Sequence, residues 1–391
     1  MSSMTSSAGM RINALLDDNS FVEIGSAITA RSTDFNLKQI DTPSDGVITG
    51  YGTIDGNRVY VYSQDSSVLG GTIGEMHAKK ICNIYDLAIK TGTPVIGLID
   101  CNGVRLQEST DALNAIGDIY FKQSMAKGVI PQITAVFGTC GGGLSIMTAL
   151  SDFTFMEEKN AKLFVNAPDA ISGNYAAKND TASAKFQSEE SGNADFVGDE
   201  ATIIADMRNL ISMIPANNDD VAMIDNEDDL NRKCDGILGA AGDTSILLSQ
   251  IADDNNFLEV KAAYAQEMVT GFIRLDGLTI GCVANRTEVV DDEGKVNKLE
   301  AGLTANGCNK AADFVDFCDA FGIPVLSSLK KKTSLFMDVH LMISDPLRYI
   351  DAFAAAGSDM ITFHIESDSD PDKTHGEGNS FDPAGMVVTA Y

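Results

Sequence analysis

Asp17 to Ile24, DDNSFVEI, returns later in the chain as Asp253 to Val260, DDNNFLEV. The echo continues in the same order. Thr49-Gly50-Tyr51 followed by Asp55-Gly56 returns as Thr270-Gly271-Phe272 followed by Asp276-Gly277. The stretch from Ala78 to Ile96, ending GTPVI, returns as Lys310 to Leu326, ending GIPVL. A repeat with conserved order and changed loop lengths is an internal duplication, so the chain must build two similar units. Its 391 residues are enough for two or three domains, each with its own core.

The first copy predicts an α/β layer. The Ser-rich residues 1–9 are expected to be disordered, followed by a helix from Arg11 to Leu16 and a strand over Phe21–Ile24. Gly46 to Ser63 is a hairpin about Asp55-Gly56, the dipeptide that suits a type I′ turn. From Ile73 to Thr91 the apolar residues Ile81, Ile84, Tyr85, Ala88 and Ile89 recur at helical spacing. A buried strand, Thr93–Asp100, then feeds the polar loop Cys101–Arg105 and a helix over about Leu106 to Lys127. This strand–helix alternation predicts a sheet with crossover helices. Residues 160–200 look like a polar insert, Glu200–Ile214 like a helix, and Asn217–Asp229 like an acidic linker.

The richest stretch is PQITAVFGTCGGGLS, Pro131 to Ser145. A short apolar strand, Ile133–Phe137, runs through Gly138–Gly143 into a helix-compatible segment, Leu144–Leu150. Such a turn leaves backbone N–H groups unpaired at the positive end of a helix dipole. It can hold a phosphate, stabilise an oxyanion, or simply be a tight corner. Neither GxGxxG nor a Lys-Ser/Thr pair is present, so the nucleotide-binding patterns do not fit. A net charge of −28 argues against nucleic acid or an anionic membrane surface, and Lys330–Lys332 is most simply a solvated turn. Seven scattered cysteines without metal spacing and no spanning apolar run point to a cytoplasmic protein without membrane insertion. Cys101 and Cys140, beside the two loops, have no neighbouring base and are expected to be buried filler.

Asp65, Gly70-Gly71, the run Gly74-Glu75-Met76-His77-Ala78-Lys79-Lys80, Arg105-Leu106-Gln107-Glu108 and the glycine turn occur in that order. With them, residues 10–328 resemble the carboxyltransferase subunit of biotin-dependent acyl-CoA carboxylases and decarboxylases. The resemblance implies crotonase-like halves, the first binding acyl-CoA and the second binding biotin, in a homo-oligomer served by a biotin carboxyl carrier protein. It also implies carboxyl transfer through a thioester enolate. The enolate oxygen would be held by backbone amides around Gly103 and Val104 and around Gly142, Gly143 and Leu144. Val104 and Leu144 stand where many relatives carry alanine, which bears on the size of the acyl pocket. If the biotin ureido nitrogen takes the proton, no side-chain base is needed. Gly70, Gly71, Lys79, Lys80 and Arg105 are the candidate substrate contacts, the lysines for CoA phosphates. Against these stand a solvated helix face for the lysines, with His77 packing locally, and an Arg105–Glu108 salt bridge.

The second copy stops early: its expected strand, Ile323–Leu326, runs into Ser327–Lys332 and no glycine turn follows. Then come a strand over Leu335–Met342, a helix capped by Asp345-Pro346, and a strand over Met360–Ile365. The run DVHLMISDP…YIDAFAAAGSDMITFHIESDSDP resembles ribulose-phosphate 3-epimerases, metal-dependent (β/α)8 barrels in which His340 matches one ligand. One βαβ piece cannot close a barrel and one histidine is not a metal site, so no metal is expected. The expected division is thus a disordered 1–9, a complete acyl-CoA half over 10–220, a truncated biotin half over 221–328, an epimerase-like fragment over 329–373 and an irregular tail over 374–391. The expected function is an acyl-CoA carboxyltransferase component impaired by that truncation. A non-catalytic acyl-CoA-binding or oligomerising remnant of a chimeric gene is the alternative.

Overall fold

The computed structural model describes all residues except 1–2, 33–40, 227, 230, 235–236, 238–239, 241, 291–293, 300–301, 333–335, 342–348, 365–385 and 390–391. Its contacts form two compact units, one of residues 1–217 with 260–266, the other of 218–259 with 267–391.

In the first unit the hairpin strands β2 (Val47–Ile54) and β3 (Asn57–Gln64) pair antiparallel. Asp55 and Gly56 both take left-handed backbone, φ 48° and 82°, as a type I′ turn requires. The short β1 (Val22–Glu23) lies on the other side of β2. Helix α2 (Glu75–Thr91) buries Ile81, Ile84, Tyr85 and Ala88 and stops at Gly92, whose left-handed backbone turns the chain into β4 (Val95–Cys101). From there the sheet is parallel. Strand β4 pairs with β3 and with β5 (Gln132–Gly141), and β5 with β6 (Phe153–Glu157) and β7 (Lys162–Phe164). Strand β8 (Phe196–Gly198) follows β6, completing eight strands among the described residues. Helix α3 (Ser109–Ala126) crosses between β4 and β5, and the short α4 (Ser145–Leu150) leaves β5. The main core lies where α2, α3 and α4 cover β3–β7.

One expectation for this unit is corrected. Residues 1–9 are not all disordered: α1 spans Ser7–Leu15, because the Ser6 hydroxyl accepts the Gly9 N–H and Ala8, Ile12 and Leu15 pack inward. The polar, insert-like stretch 160–200 carries β7, α5 (Ala184–Glu189) and β8. Helix α6 (Glu200–Met213) follows, with Asp199 as its cap.

The second unit repeats the first in detail. After α7 (Thr244–Ile251), β9 (Leu258–Val260) lies beside the hairpin β10 (Met268–Leu275) and β11 (Leu278–Asn285). Asp17 accepts the Asp55 and Gly56 N–H groups, and Asp253 accepts those of Asp276 and Gly277. A Cβ at Gly50 would lie 2.3 Å from Val22 O, and one at Gly271 the same 2.3 Å from Leu258 O. Buried Lys80 donates to Val47 O, and buried Lys310 to Met268 O. The copy then diverges. The expected strand Ile323–Leu326 lies inside α8 (Ala305–Lys332). In the first unit the equivalent strand has parallel neighbours on both sides. Among the described residues the second unit offers none beyond β11, and a strand there would leave its backbone groups unpaired. The helix satisfies them internally and packs Phe314, Phe317 and Phe321 at the sheet, with Phe314 and Phe317 against Phe272.

Beyond α8, β14 (Asp338–Leu341) and β15 (Met360–His364) pair parallel across α9 (Ile350–Ala356), as the βαβ pattern implies. The strands β12 (Glu288–Val290) and β13 (Val296–Lys298) form a separate hairpin earlier in this unit. The cap at Asp345-Pro346 and the side chain of His340 lie outside the described residues. The tail is not wholly irregular: β16 (Met386–Thr389) adds in parallel to β15. No described helix is long and apolar enough to cross a membrane. The fold is α/β, with a complete crotonase-like first copy, a partial second copy and a C-terminal βαβ fragment.

Candidate functional site

Strands β4 and β5 pair from Val95–Gln132 to Ile99–Val136, then shift register by two residues at a bulge in β5 and pair again at Cys101–Cys140. Each then opens into a glycine loop two residues later, so the two loops emerge from adjacent strands about 5 Å apart. Gly103 (φ 110°) and Gly142 (φ 62°) use backbone that a side chain resists, and a Cβ on either would meet nothing within 4 Å. The space in front of both is open. The Gly103 N–H is already spent on Cys101 Sγ at 3.3 Å. Val104 is different. Ile73 donates to Gly103 O at 3.0 Å and accepts from Arg105 N at 2.9 Å, which fixes the peptides on either side of Val104. Among the described residues nothing accepts the Val104 N–H. In the glycine turn the first closing bond is donated by Ser145 to Gly142 O, so the amides of Gly143 and Leu144 precede it at a helix entrance. Tyr120 Oη donates to Gly143 O and holds that peptide. The Leu144 side chain points into the core, and Val104 packs at its edge, so neither intrudes on the open face.

The candidate substrate contacts divide sharply. Arg105 is 2% exposed. Its guanidinium meets Asp45 at 2.6 Å, Glu108 at 3.0 Å and Thr72 O at 2.7 Å. The expectation of Arg105 as a substrate contact is corrected on that ground: every arm of the fork is turned inward. Lys80 is also corrected. It is 3% exposed, its ammonium donates to Ser44 O and Val47 O, and burial pulls its pKa down to about 8. Gly70 and Gly71 press on the β4 loop. A Cβ would lie 2.8 Å from Asn102 Nδ2 at Gly70 and 2.4 Å from Asp100 O at Gly71, so close packing on that loop requires glycine at both positions. Lys79 alone of the five is well exposed. It pairs with Glu75 at 2.6 Å and borders a cavity of about 680 Å³ between α2 and α3. Four carboxylates (Glu75, Asp86, Asp111, Asp118) and three cations (Arg31, Lys79, Lys122) line that cavity, so its charge does not favour a polyanion.

His77, Asp45 and Gln64 complete the buried polar cluster behind the loops. His77 is fully buried; Nδ1 faces Asp45 O at 2.9 Å and Nε2 faces Gln64 at 3.2 Å. A carbonyl can only accept, so Nδ1 carries the proton. Burial, then the Arg105 charge, pushes the imidazole pKa down to about 3. Burial raises the Asp45 carboxyl against the pull of Arg105. Cys101 and Cys140 are buried and their thiols are pushed up by desolvation, Cys101 to about 12. Asp45, the residue that organises the cluster, carries no signal in the sequence beyond its place before Gly46.

Residues 6–328 match the carboxyl transferase domain family, and residues 310–381 match the ribulose-phosphate 3 epimerase family. The chain belongs to the carboxyl transferase family. The two matches overlap inside α8. The chain is 37% identical over 329 residues to the propionyl-CoA carboxylase beta chain of Roseobacter denitrificans, covering 81% of this chain and 63% of that protein. It is also 37% identical over 329 residues to methylmalonyl-CoA decarboxylase subunit alpha of Propionigenium modestum, covering 81% and 62%. The chain thus spans less than two thirds of these curated relatives. Transcarboxylase 12S, described as a hexamer assembly with hydrolyzed methylmalonyl-coenzyme A bound, superposes with a TM-score of 0.73 at 29% identity, over 92% of this chain and 76% of that one. A single-chain, multi-domain long-chain acyl-CoA carboxylase shares the fold, with a TM-score of 0.65 at 20% identity over 91% and 37%.

Proposed function

We propose that the first unit is the acyl-CoA half of a carboxyltransferase that works with biotin on a carrier protein, and that it holds a short acyl thioester by its carbonyl oxygen. The amides of Val104 and of Gly143–Leu144 are the donors. When the bond to the α-carbon's proton or carboxyl group breaks, charge moves onto that oxygen. Donors already aimed there cost no reorganisation, and one of them is typically worth about 3–4 kcal/mol. The observation that carries the reading is the Cys101–Cys140 pairing beyond the β5 bulge, which sets an unspent amide beside a helix entrance with open space before both. Gly103 and Gly142 supply the backbone shapes rather than the leading donors. Lys79 is the remaining candidate for a CoA phosphate.

The residues of the second unit do not fit biotin. A hole for its carbonyl needs a second strand–glycine turn–helix, and α8 continues where the preceding strand would lie. We therefore read this chain alone as binding acyl-CoA without transferring carboxyl groups, any completing half-site coming from another chain. Calorimetry with propionyl-CoA, run beside a carboxybiotin transfer assay, tests both statements. Absence of binding overturns the acyl-CoA reading. Turnover by the isolated chain, or decarboxylation of methylmalonyl-CoA with free biotin, overturns the loss of transfer.

A further inference from the structure

The Val104 amide can serve as a donor only while its peptide plane is fixed, and the fastening lies behind it. The Arg105 side chain folds back and donates to Thr72 O, beside the Ile73 backbone that already brackets Val104. Its Nη1 is shared by Asp45 Oδ1 and Glu108 Oε1. The second oxygen of each carboxylate accepts a backbone N–H from the first turn of α2: Glu108 Oε2 from Glu75 at 2.7 Å, Asp45 Oδ2 from His77 at 2.8 Å. One guanidinium therefore ties the β4 loop to the turn before β2 and to the start of α2. Two carboxylates against one cation are tolerated because they sit at the positive end of the α2 dipole. The surrounding backbone is held in uncommon shapes. Ser44 and Asp45 (φ 53° and 50°), Leu69 (φ 51°) and Ser109 (φ 50°) are all left-handed without being glycine. Such conformations persist only where neighbours over-determine them.

We propose that Asp45 is a positioning residue for the thioester-holding amide: its carboxylate locks Arg105, and through Arg105 the peptide plane of Val104. Asp45 is fully buried beneath the loop and acts only through these bonds. The inference rests on the thioester reading above and names the device that keeps that site formed. Its test uses the full chain with Asp45→Asn, which keeps the shape of the side chain and removes the charge. Hydrogen exchange in the 102–108 peptide should accelerate at least tenfold while β5 is unchanged; unaltered exchange overturns the lock. Propionyl-CoA labelled with 13C at the carbonyl then reports the amide itself by infrared difference spectroscopy. In the parent protein the carbonyl band should move to lower frequency on binding. In Asp45→Asn it should return at least halfway to its solution position, with affinity for plain CoA kept within threefold. A parent band that does not move, or no binding, removes the thioester reading and this proposal with it. A shifted parent band that persists unchanged in Asp45→Asn overturns this proposal alone. Should Asp45→Asn fail to fold, Glu108→Gln breaks the other carboxylate arm and is judged by the same two readings.

Discussion

Replacing His77 by glutamine should remove a large part of the acid sensitivity of the first unit. In the native protein the imidazole is fully buried, with Nδ1–H donating to Asp45 O and Nε2 facing the Gln64 amide. A proton on Nε2 would meet another donor and the charges of Arg105 and Lys80, and the pKa falls to about 3. Unfolded, the same group titrates near 6.5. For a base depressed in the folded state, the unfolded chain binds more protons between those two values. Stability is therefore full above about pH 6.5 and declines as pH falls toward 3. Applying linkage with these two values, the loss between pH 7 and pH 5 is about 2 kcal/mol from this residue alone. Urea unfolding followed by circular dichroism at both pH values, on the parent and on His77→Gln, isolates it because the other titrating groups are common to both. The parent midpoint should drop about 1 M further than the variant's, for slopes near 2 kcal/mol per M. Equal drops would refute the reasoning and imply that Gln64 turns its oxygen to accept from an imidazolium.

Two further outcomes follow from packing. Gly97→Ala should lower stability by about 1–3 kcal/mol, because its Cβ would sit 2.3 Å from the hydroxyl of fully buried Tyr62; an unchanged melting temperature would show that the ring gives way freely. Limited proteolysis should cut within the C-terminal βαβ fragment before the first unit, because among the described residues its buried cluster is small: Leu326, Ile350, Phe353 and Ile361. Protection beyond residue 330 equal to that of the first unit would contradict this.

Much of the scaffold was legible because it depends on local chemistry. Asp55-Gly56 dictates its turn, Gly92 stops α2, and DDNSFVEI with DDNNFLEV announces two units. Lys79 and Lys80 show where that kind of reading needed one more step. As neighbouring cations they look alike. Helical spacing, however, puts Lys80 three residues from His77 and four from Ile84, on the buried stripe, and turns Lys79 outward. The Arg105–Asp45 pair had no such cue, since its partners lie 60 residues apart and meet only once β2, α2 and β4 are assembled. Ile323–Leu326 failed for the opposite reason. Its local pattern matches that of β4, but a parallel strand exists only through its neighbours, and the second unit supplies none beyond β11 among the described residues.

The duplication also separates architecture from chemistry within one chain. Asp17 and Asp253 clamp equivalent hairpins, and Lys80 and Lys310 hold equivalent carbonyls, so these struts belong to the fold. The lock behind Val104 is not duplicated. In the alignment that equates Gly50 with Gly271, Gln266 stands opposite Asp45, and in the one that equates Lys80 with Lys310, Gly307 stands opposite His77. The second unit therefore builds the same hairpin and the same helix entrance without either residue. A buried carboxylate–guanidinium cluster brings a desolvation cost that apolar packing avoids. The second unit has a buried cluster of its own, Arg286 with Asp243 and Glu259, built from other positions. What is particular to the first unit is therefore that its cluster fastens the loop carrying Gly103 and Val104.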